Sequence, residues 1–323
     1  MDTYKSEKYY CTLDNLDEVL NKYGVAIIPN LLDDIETKKI QDGMWETLEY
    51  LTKGTDFEIL KMKQSSWRNI ISLFPLHSML IQHWSIGHSQ FIWDLRQNPK
   101  VLEVFATLYG VTIEDLLVSF DGASFHMPPE YTNIGWNRNN TWFHSDQSFL
   151  RPDRECIQSW INGFDTNIGD ATLALLEGSH VYHREFKDNF NITNKDDWYK
   201  LNDDEYRFYS DKGCKEVRIS CPKGSLVLWD SRTIHCGIEP FKERLTPNFR
   251  CVVYLCYQPR TMVDNKNIEK KQKAFEELRM TSHWPCKVKL FAKNPRTYGK
   301  EIPNFNQIPI PTLSKLGKKL AGY

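Results

Sequence analysis

The sequence predicts an α+β protein with a β-rich core of antiparallel strands, built as a sandwich or a barrel and flanked by helices at both ends. Helical periodicity dominates up to about residue 115, short apolar runs follow to about 260, and a charged helical stretch ends the chain. With 323 residues, 41% hydrophobic and 13% aromatic, the chain can bury a substantial core. We expect a single domain over 1–323, divided into a mainly helical flank with an N-terminal strand (1–115), the β core (116–260) and a helical or irregular C-terminal flank (261–323).

The N-terminal flank contains recognisable start and stop signals. Residues 14–22 have the spacing of a short amphipathic helix, and residues 24–29 read as a strand between a glycine and a proline. Asp33 or Asp34 is suited to cap a helix that continues to Leu51. A further helix is predicted from Asn98-Pro99 to Gly110, since proline favours the first helical turn and glycine the end.

The core is predicted from short apolar segments bounded by turn residues. The predicted strands are 117–125, 156–164, 171–176, 216–219, 225–229 and 250–257. An insert at about 183–215 is polar and rich in aromatic residues, and we interpret it as an excursion between two strands. In the C-terminal flank, residues 267–280 predict a helix and residues 313–320 a short basic amphipathic segment.

Charge and composition exclude several classes of protein. A formal net charge of −1 argues against nucleic acid as a partner. We find neither a membrane span nor an apolar signal segment in the sequence, so a cytoplasmic location is expected. The eight cysteines form no C-x-x-C pair, which argues against structural zinc and favours free thiols. Oligomeric state is left open by these features.

A metal site is predicted from three residues that are far apart in sequence. His144 and Asp146 form an H-x-D pair, and in an extended backbone such residues point to the same face. His235 follows the apolar strand that ends at Trp229. Two neutral imidazoles and one carboxylate are the ligands of the non-haem iron(II) facial triad, whose open positions suit a 2-oxo acid and dioxygen.

Each part of this pattern has an ordinary structural explanation when it stands alone. An isolated H-x-D pair is typical of a surface hydrogen bond, and an isolated buried histidine is typical of a core. The combination of His144, Asp146 and His235, in this order and separated by β-rich chain, favours the metal site.

An arginine that follows His235 in the sequence supports this interpretation. Arg250 begins the apolar run 250–257, where a buried guanidinium requires an anion, and the far carboxylate of 2-oxoglutarate meets that need with paired hydrogen bonds. The alternative is a salt bridge at the barrel edge to Glu239 or Glu243. Arg244 is a rival for the same role, although it lies in a loop flanked by proline.

Strand alternation predicts further residues that point inward. Counting by twos from His235 reaches Thr233, and counting around Trp160 reaches its neighbours at 158 and 162. We predict no catalytic residue beyond the metal site. The predicted cofactor-binding residues are Arg250, Trp160, Thr233 and Gln158, and the predicted substrate-binding residues are His126, Trp142 and Asn162.

These landmarks resemble the phytanoyl-CoA dioxygenase family of Fe(II)/2-oxoglutarate-dependent oxygenases over roughly residues 15 to 258. Asp170, Ala171 and Glu177 depart from the family pattern, where Gly-Cys or Gly-Pro type pairs and a proline are usual. The matching segments are 24–32, His144-Ser-Asp146, Trp160 beside the co-substrate, 169–173 through 177–180, 222–229 into His235, and Asn248-Phe-Arg250.

The resemblance implies a double-stranded β-helix, also called a jelly roll or cupin-like fold, with flanking N- and C-terminal helices. It also implies Fe(II), 2-oxoglutarate as co-substrate and O2, and a hydroxylase that acts on an unidentified small molecule. Two alternatives stay open: a cupin-like metalloenzyme that is not an oxygenase, and a non-catalytic binding member of the fold. The basic run from Lys287 to Lys300 fits either a solvated face or a contact with an anionic substrate.

Overall fold

The computed structural model describes residues 2–139 and 141–323, so that Met1 and Asn140 lie outside it. The α-helices are α1 (Leu16–Tyr23), α2 (Asp34–Thr52), α3 (Gln90–Arg96), α4 (Pro99–Tyr109), α5 (Pro129–Thr132), α6 (His183–Asn189), α7 (Asp203–Asp211), α8 (Asn265–Glu276) and α9 (Lys315–Leu320). The 3₁₀-helices are Asp2–Tyr4, Glu7–Tyr9, Leu13–Asn15, Gln64–Leu73, Ile86–His88, Ile113–Asp115, Ser179–Tyr182 and Arg260–Met262.

The strands pair in an antiparallel manner throughout the named ladders. They are β1 (Val25–Ile28), β2 (Leu80–Ile81), β3 (Leu116–Val118), β4 (Ala123–His126), β5 (His144–Ser145), β6 (Ile157–Asn162), β7 (Thr172–Leu176), β8 (Tyr199–Lys200), β9 (Glu216–Arg218), β10 (Leu226–Asp230), β11 (His235–Ile238), β12 (Arg250–Tyr254) and β13 (Tyr257–Pro259). A six-stranded sheet has the order β1-β10-β6-β12-β4-β2, a five-stranded sheet has the order β8-β5-β11-β7-β9, and β13 pairs with β3. The chain is therefore a mixed α/β protein with antiparallel sheets.

Strand β10 shows how the larger sheet is packed on both faces. Val227 and Trp229 join a core cluster with Leu173 and Leu175 of the smaller sheet, whereas Leu226 and Leu228 join the large cluster formed with the helices. Because successive side chains point to opposite faces, one strand serves both clusters. Burial of each of these side chains stabilises the fold by about 1.5–3 kcal/mol.

The predicted signals of the N-terminal flank are confirmed. Asp33 caps α2, accepting hydrogen bonds from the backbone of Ile35 and Glu36 at 2.9 Å each. Asn98 caps α4 through the Lys100 amide at 2.9 Å, and Gly110 ends that helix with a φ of 63°.

Two predicted strands are each divided in the structure. The run 117–125 separates into β3 and β4, and 250–257 separates into β12 and β13, so that each run contributes to two sheets. The break in the first run spans residues 119–122, and a Cβ at Gly122 would stand 2.1 Å from the backbone oxygen of Ile81. Only glycine permits this close approach of the two backbones.

The stretch 183–215 holds α6, β8 and α7, and β8 pairs with β5 at the edge of the smaller sheet. All eight cysteines are free and buried. Within 2–139 and 141–323, none of the helices combines the length and apolar character that a membrane crossing requires.

Candidate metal centre

Strand pairing brings the three predicted ligands together. His144 on β5 and His235 on β11 are direct partners in the antiparallel ladder, and Asp146 follows β5 immediately. His144 Nε2 lies 3.4 Å from Asp146 Oδ1, and His235 Nε2 lies 3.4 Å from Asp146 Oδ2. One donor atom from each residue lies within 4.8 Å of the others, so the three side chains can converge on a single ion.

Neighbouring groups orient these donors. The Nδ1 atoms of His144 and His235 lie 3.1 Å and 2.9 Å from the backbone oxygens of Trp142 and Thr233. Because a carbonyl only accepts, each Nδ1 carries the proton and each Nε2 presents its lone pair toward Asp146. The donor set therefore fits a divalent first-row metal, with the imidazoles fixed in the tautomer that binds it.

The protonation states also suit a metal. Burial by itself would raise the pKa of Asp146, but the nearby His144 and His283 hold it well below its usual range. Burial, followed by the proximity of His144, lowers the pKa of His235. An ionised Asp146 beside a neutral His235 is the form that coordinates a cation.

The triad lines a cavity of about 360 Å³ whose wall also contains Arg250. Arg250 Nε donates to Ser124 Oγ at 2.9 Å, and its Nη1 donates to the Ala171 oxygen at 2.9 Å. Burial lowers the pKa of Arg250, partly offset by Tyr254. Within residues 2–139 and 141–323 the structure gives Arg250 no ion pair with a carboxylate, so its charge is buried without a counter-ion.

The rival arginine is already paired. Arg244 forms ion pairs with Glu130 and with Asp170, the latter at 2.9 Å. Its guanidinium is almost fully buried by these contacts, with 2% of the side chain exposed. Arg244 therefore has its anions within the protein, whereas Arg250 has its charge free for a ligand.

Three of the other predicted residues lie in the cavity wall. Gln158 donates to Asp146 Oδ2 at 3.0 Å, and the Arg250 guanidinium lies 5.6 Å from the ring centre of Trp160. The Trp142 ring is stacked on His144 at 4.8 Å and donates from Nε1 to the Gly237 oxygen at 2.9 Å.

The other three predicted residues, Thr233, Asn162 and His126, do not line the cavity that contains the triad. The Thr233 hydroxyl donates to the Gly24 oxygen at 2.9 Å. Strand β11 begins only at His235, so Thr233 lies outside the strand and the alternation of side chains does not apply to it. Asn162 ends β6, and its amide is taken up by turn carbonyls, including that of Phe164 at 2.8 Å.

His126, which was predicted to bind substrate, lines a neighbouring cavity. Its Nε2 lies 3.1 Å from the Gly135 oxygen, which holds the ring against the loop after α5.

Sequence reasoning missed residues that long loops bring to the cavity. His283 Nδ1 lies 4.0 Å from Asp146 Oδ2, and Trp284 lines the wall beside it. The insert contributes Asp197 and Trp198, so it forms part of the cavity. No periodicity in the sequence relates His283-Trp-Pro to the β core.

Asp121 is a further cavity residue that the pattern did not reveal. Burial raises its pKa to about 7, while its Oδ1 accepts a hydrogen bond from the Gly122 amide at 2.7 Å. A carboxyl group in this state is poised between donor and acceptor at neutral pH.

The chain is similar in sequence or in fold to several known proteins. The chain is 26% identical over 211 residues to Ava biosynthesis cluster protein O of Aspergillus versicolor, a match that covers 63% of this chain and 65% of that protein. It shares the fold of GlcNAc Inducible Gene 2 from Candida albicans, with a TM-score of 0.57 and 14% identity over 85% of this chain and 72% of that one. The epimerase SnoN, solved with Fe3+, alpha ketoglutarate and nogalamycin RO, has a TM-score of 0.46 and 13% identity over 76% of this chain and 83% of that one.

The strongest comparison is with a family rather than with a single protein. The sequence profile named Phytanoyl-CoA dioxygenase (PhyH) matches residues 20–238, about two thirds of the chain. This range includes His144, Asp146 and His235, which the structure gathers at one point. The chain therefore belongs to the phytanoyl-CoA dioxygenase family.

Proposed function

We propose that this protein is an Fe(II)- and 2-oxoglutarate-dependent dioxygenase that hydroxylates a small molecule and releases succinate and carbon dioxide. Family membership and the His-Asp-His triad give the cofactors, which are Fe(II), 2-oxoglutarate and O2. The observation that carries the proposal is Arg250, a buried guanidinium without a carboxylate partner in the described chain, in the same cavity as the triad. A cupin-like isomerase would need the three ligands but not this cation.

Three residues would hold the metal and one would hold the co-substrate. His144, Asp146 and His235 would bind Fe(II), and Arg250 would bind the C5 carboxylate of 2-oxoglutarate with parallel hydrogen bonds. When bound, the iron and the oxo acid supply the oxidation: 2-oxoglutarate, O2 and a substrate C–H bond give succinate, carbon dioxide and a C–OH group.

The protein's own contribution is orientation and exclusion of water. Gln158 fixes the carboxylate of Asp146 by its hydrogen bond at 3.0 Å. The indole rings of Trp142, Trp160 and Trp229 give the cavity an apolar wall that shields the reacting groups from solvent. A carboxylate at position 146 fills the place that a halide takes in related halogenases, which favours hydroxylation over halogenation.

We further propose that the two main sheets form a double-stranded β-helix within a single domain, 1–323, whose β core spans 116–260. The direct pairing of β5 with β11 and of β6 with β10 and β12 supports this arrangement. It would place the ligands on the smaller sheet and the co-substrate arginine on the larger one, facing a common space.

Anaerobic spectroscopy tests the function directly. Fe(II) and 2-oxoglutarate added to the purified chain should give a weak visible charge-transfer band, which His144→Ala should abolish. His180→Gln is the matched control, since His180 bonds the Asn21 oxygen at 3.0 Å and is not a predicted ligand. With oxygen, succinate should accumulate slowly even without substrate. A folded wild-type protein without the band would refute the proposal and favour a non-oxygenase metalloenzyme or a binding protein.

A further inference from the structure

A second and larger cavity adjoins the metal cavity. Its volume is about 800 Å³, compared with about 360 Å³ for the space around the triad. Leu76, His77, Gln82 and Phe291 line both cavities, so these residues form the junction between them. A molecule that reaches the metal centre and exceeds the smaller cavity would therefore extend into the larger one.

The walls of this second cavity are largely apolar. Ile70, Phe74, Met127 and Ile134 line it on the side of the N-terminal flank and β4, and Tyr298 lines it from the C-terminal flank. Apolar walls of this extent favour a ligand with a substantial apolar body. The volume is within the range of about 300–1,000 Å³ that accommodates a drug-sized molecule, and it leaves little room for a nucleotide conjugate in addition.

Cations lie at the opening of the same cavity. Arg296 and Lys300 are exposed lining residues, and no acidic residue occurs between Cys286 and Lys300 in the sequence. Lys287 pairs with Glu155 at 2.7 Å, whereas the structure gives Arg296 and Lys300 no ion pair within the residues it describes. Glu301 follows Lys300 directly in the sequence, but within the described residues the structure gives it no ion pair with either cation, so both charges can contact an anion.

The junction is held in a constrained conformation. His77 and Ser78 have φ values of 45° and 60°, which non-glycine residues adopt at an energetic cost. The His77 ring is stacked on Trp142 at 3.7 Å, and Trp142 is stacked on His144. Burial, followed by nearby His144 and Lys200, lowers the pKa of His77 to about 4, so the ring stays neutral at physiological pH. A flat, uncharged wall thus leads from the second cavity to the metal ligands.

We propose that the second cavity is the substrate chamber, and that it takes a drug-sized, mostly apolar molecule whose single carboxylate or phosphate rests on Arg296 and Lys300. The end of the molecule opposite the anion passes the junction at His77 and Phe291 and presents its C–H bond at the triad. This assignment rests on the proposed function for the reaction, while the chamber and its preference for anions stand on the cavity itself.

A pair of dyes that differ mainly in charge tests this assignment. We would titrate the full chain with 1-anilinonaphthalene-8-sulfonate, which is apolar and anionic, and with N-phenyl-1-naphthylamine, its neutral counterpart. Titrations would be made with Fe(II) and 2-oxoglutarate under anaerobic conditions and again without them. We expect both dyes to bind, with the anionic dye binding about five- to tenfold more tightly because two exposed cations each contribute a modest attraction.

Variants locate the binding within the chamber. The double variant Arg296→Gln/Lys300→Gln should remove the preference for the anionic dye and leave the affinity for the neutral dye within about twofold of wild type. Ile71→Trp should weaken both dyes, since Ile71 lines the chamber and, at 51% exposed, tolerates a larger side chain. Lys266→Gln, an exposed lysine on α8 outside the chamber lining, is the matched control and should change neither affinity.

Competition separates the possible anions. Whichever of dodecanoate and dodecyl phosphate displaces the anionic dye more strongly carries the preferred group, and dodecanol should displace it about five- to tenfold more weakly than either. Equal binding of the two dyes, binding that Ile71→Trp does not change, or stronger displacement by free coenzyme A would each overturn the proposal. If the charge-transfer band is absent while the dyes behave as expected, the oxygenase function is refuted and the substrate chamber is supported. If the band is present while the dyes do not behave as expected, only the substrate chamber is refuted.

Discussion

Replacement of Arg250 by methionine tests the co-substrate site most directly. Its guanidinium donates to Ser124 and Ala171, and its other N–H groups are available to a carboxylate in the cavity. Each hydrogen bond to a charged group is worth about 1.5–3 kcal/mol, so losing a bidentate contact costs about 3–6 kcal/mol. The dissociation constant for 2-oxoglutarate should therefore rise roughly 150- to 25,000-fold in Arg250→Met.

The assay is an anaerobic titration of the Fe(II)-loaded protein, followed by the charge-transfer band or by calorimetry. 2-Oxopentanoate, which keeps the 2-oxo acid but lacks the second carboxylate, should bind wild type and Arg250→Met with similar, weak affinity. Arg244→Lys is the matched variant, since Arg244 is paired with Glu130 and Asp170 and should not affect 2-oxoglutarate affinity. Equal 2-oxoglutarate affinity in wild type and a folded Arg250→Met protein would refute the role given to Arg250.

Two further predictions concern the metal centre and a buried lysine. Gln158→Leu should weaken Fe(II) binding about 10- to 100-fold because it removes the hydrogen bond that orients Asp146. The Nδ1 atom of His283 is 4.0 Å from the same carboxylate, too far for a hydrogen bond, so His283→Leu should change Fe(II) affinity by less than about threefold. The same loss of affinity in both variants would contradict this reasoning. Burial lowers the pKa of Lys271 from 10.5 to about 7. Between pH 7 and pH 10.5 this lysine keeps its proton in the unfolded chain and has lost it in the folded chain. The free energy of unfolding should therefore rise with pH, by up to about 1.4 kcal/mol per pH unit. Lys271→Met should flatten this rise in urea unfolding between pH 7 and 10, and parallel curves for the two proteins would show that Lys271 does not cause it.

The sequence predicted helix ends correctly where the interactions that form them involve residues close together in the chain. The cap at Asp33, the proline start after Asn98 and the glycine stop at Gly110 depend on backbone groups a few residues away. The expectation of antiparallel sheets likewise followed from short apolar runs, since each strand carries its own alternation. These elements form as predicted because nothing distant competes with them.

The alternation of side chains along a strand did not predict the contacts of residues at or beyond the strand ends. Gln158 and Trp160 lie well within β6 and face the metal cavity, as alternation predicts. Asn162 is the last residue of that strand, and Thr233 precedes the start of β11, so turn carbonyls and the Gly24 oxygen determine their partners. The need for glycine at position 122 was equally hidden, since it comes from the backbone of Ile81, which is distant in sequence.

By itself the sequence predicted antiparallel sheets flanked by helices, the ends of the helix between Asn98 and Gly110, and the grouping of His144, Asp146, His235 and Arg250, which line one cavity in the structure. Only the tertiary structure decided that His283 reaches Asp146, that Arg244 is neutralised by Glu130 and Asp170, and that a second cavity opens beside the first. The physical reason is the range of the interactions. Hydrogen-bonded caps and strand alternation act over a few residues, whereas the pairing of a buried charge and the shape of a cavity depend on segments that meet only after the chain has folded.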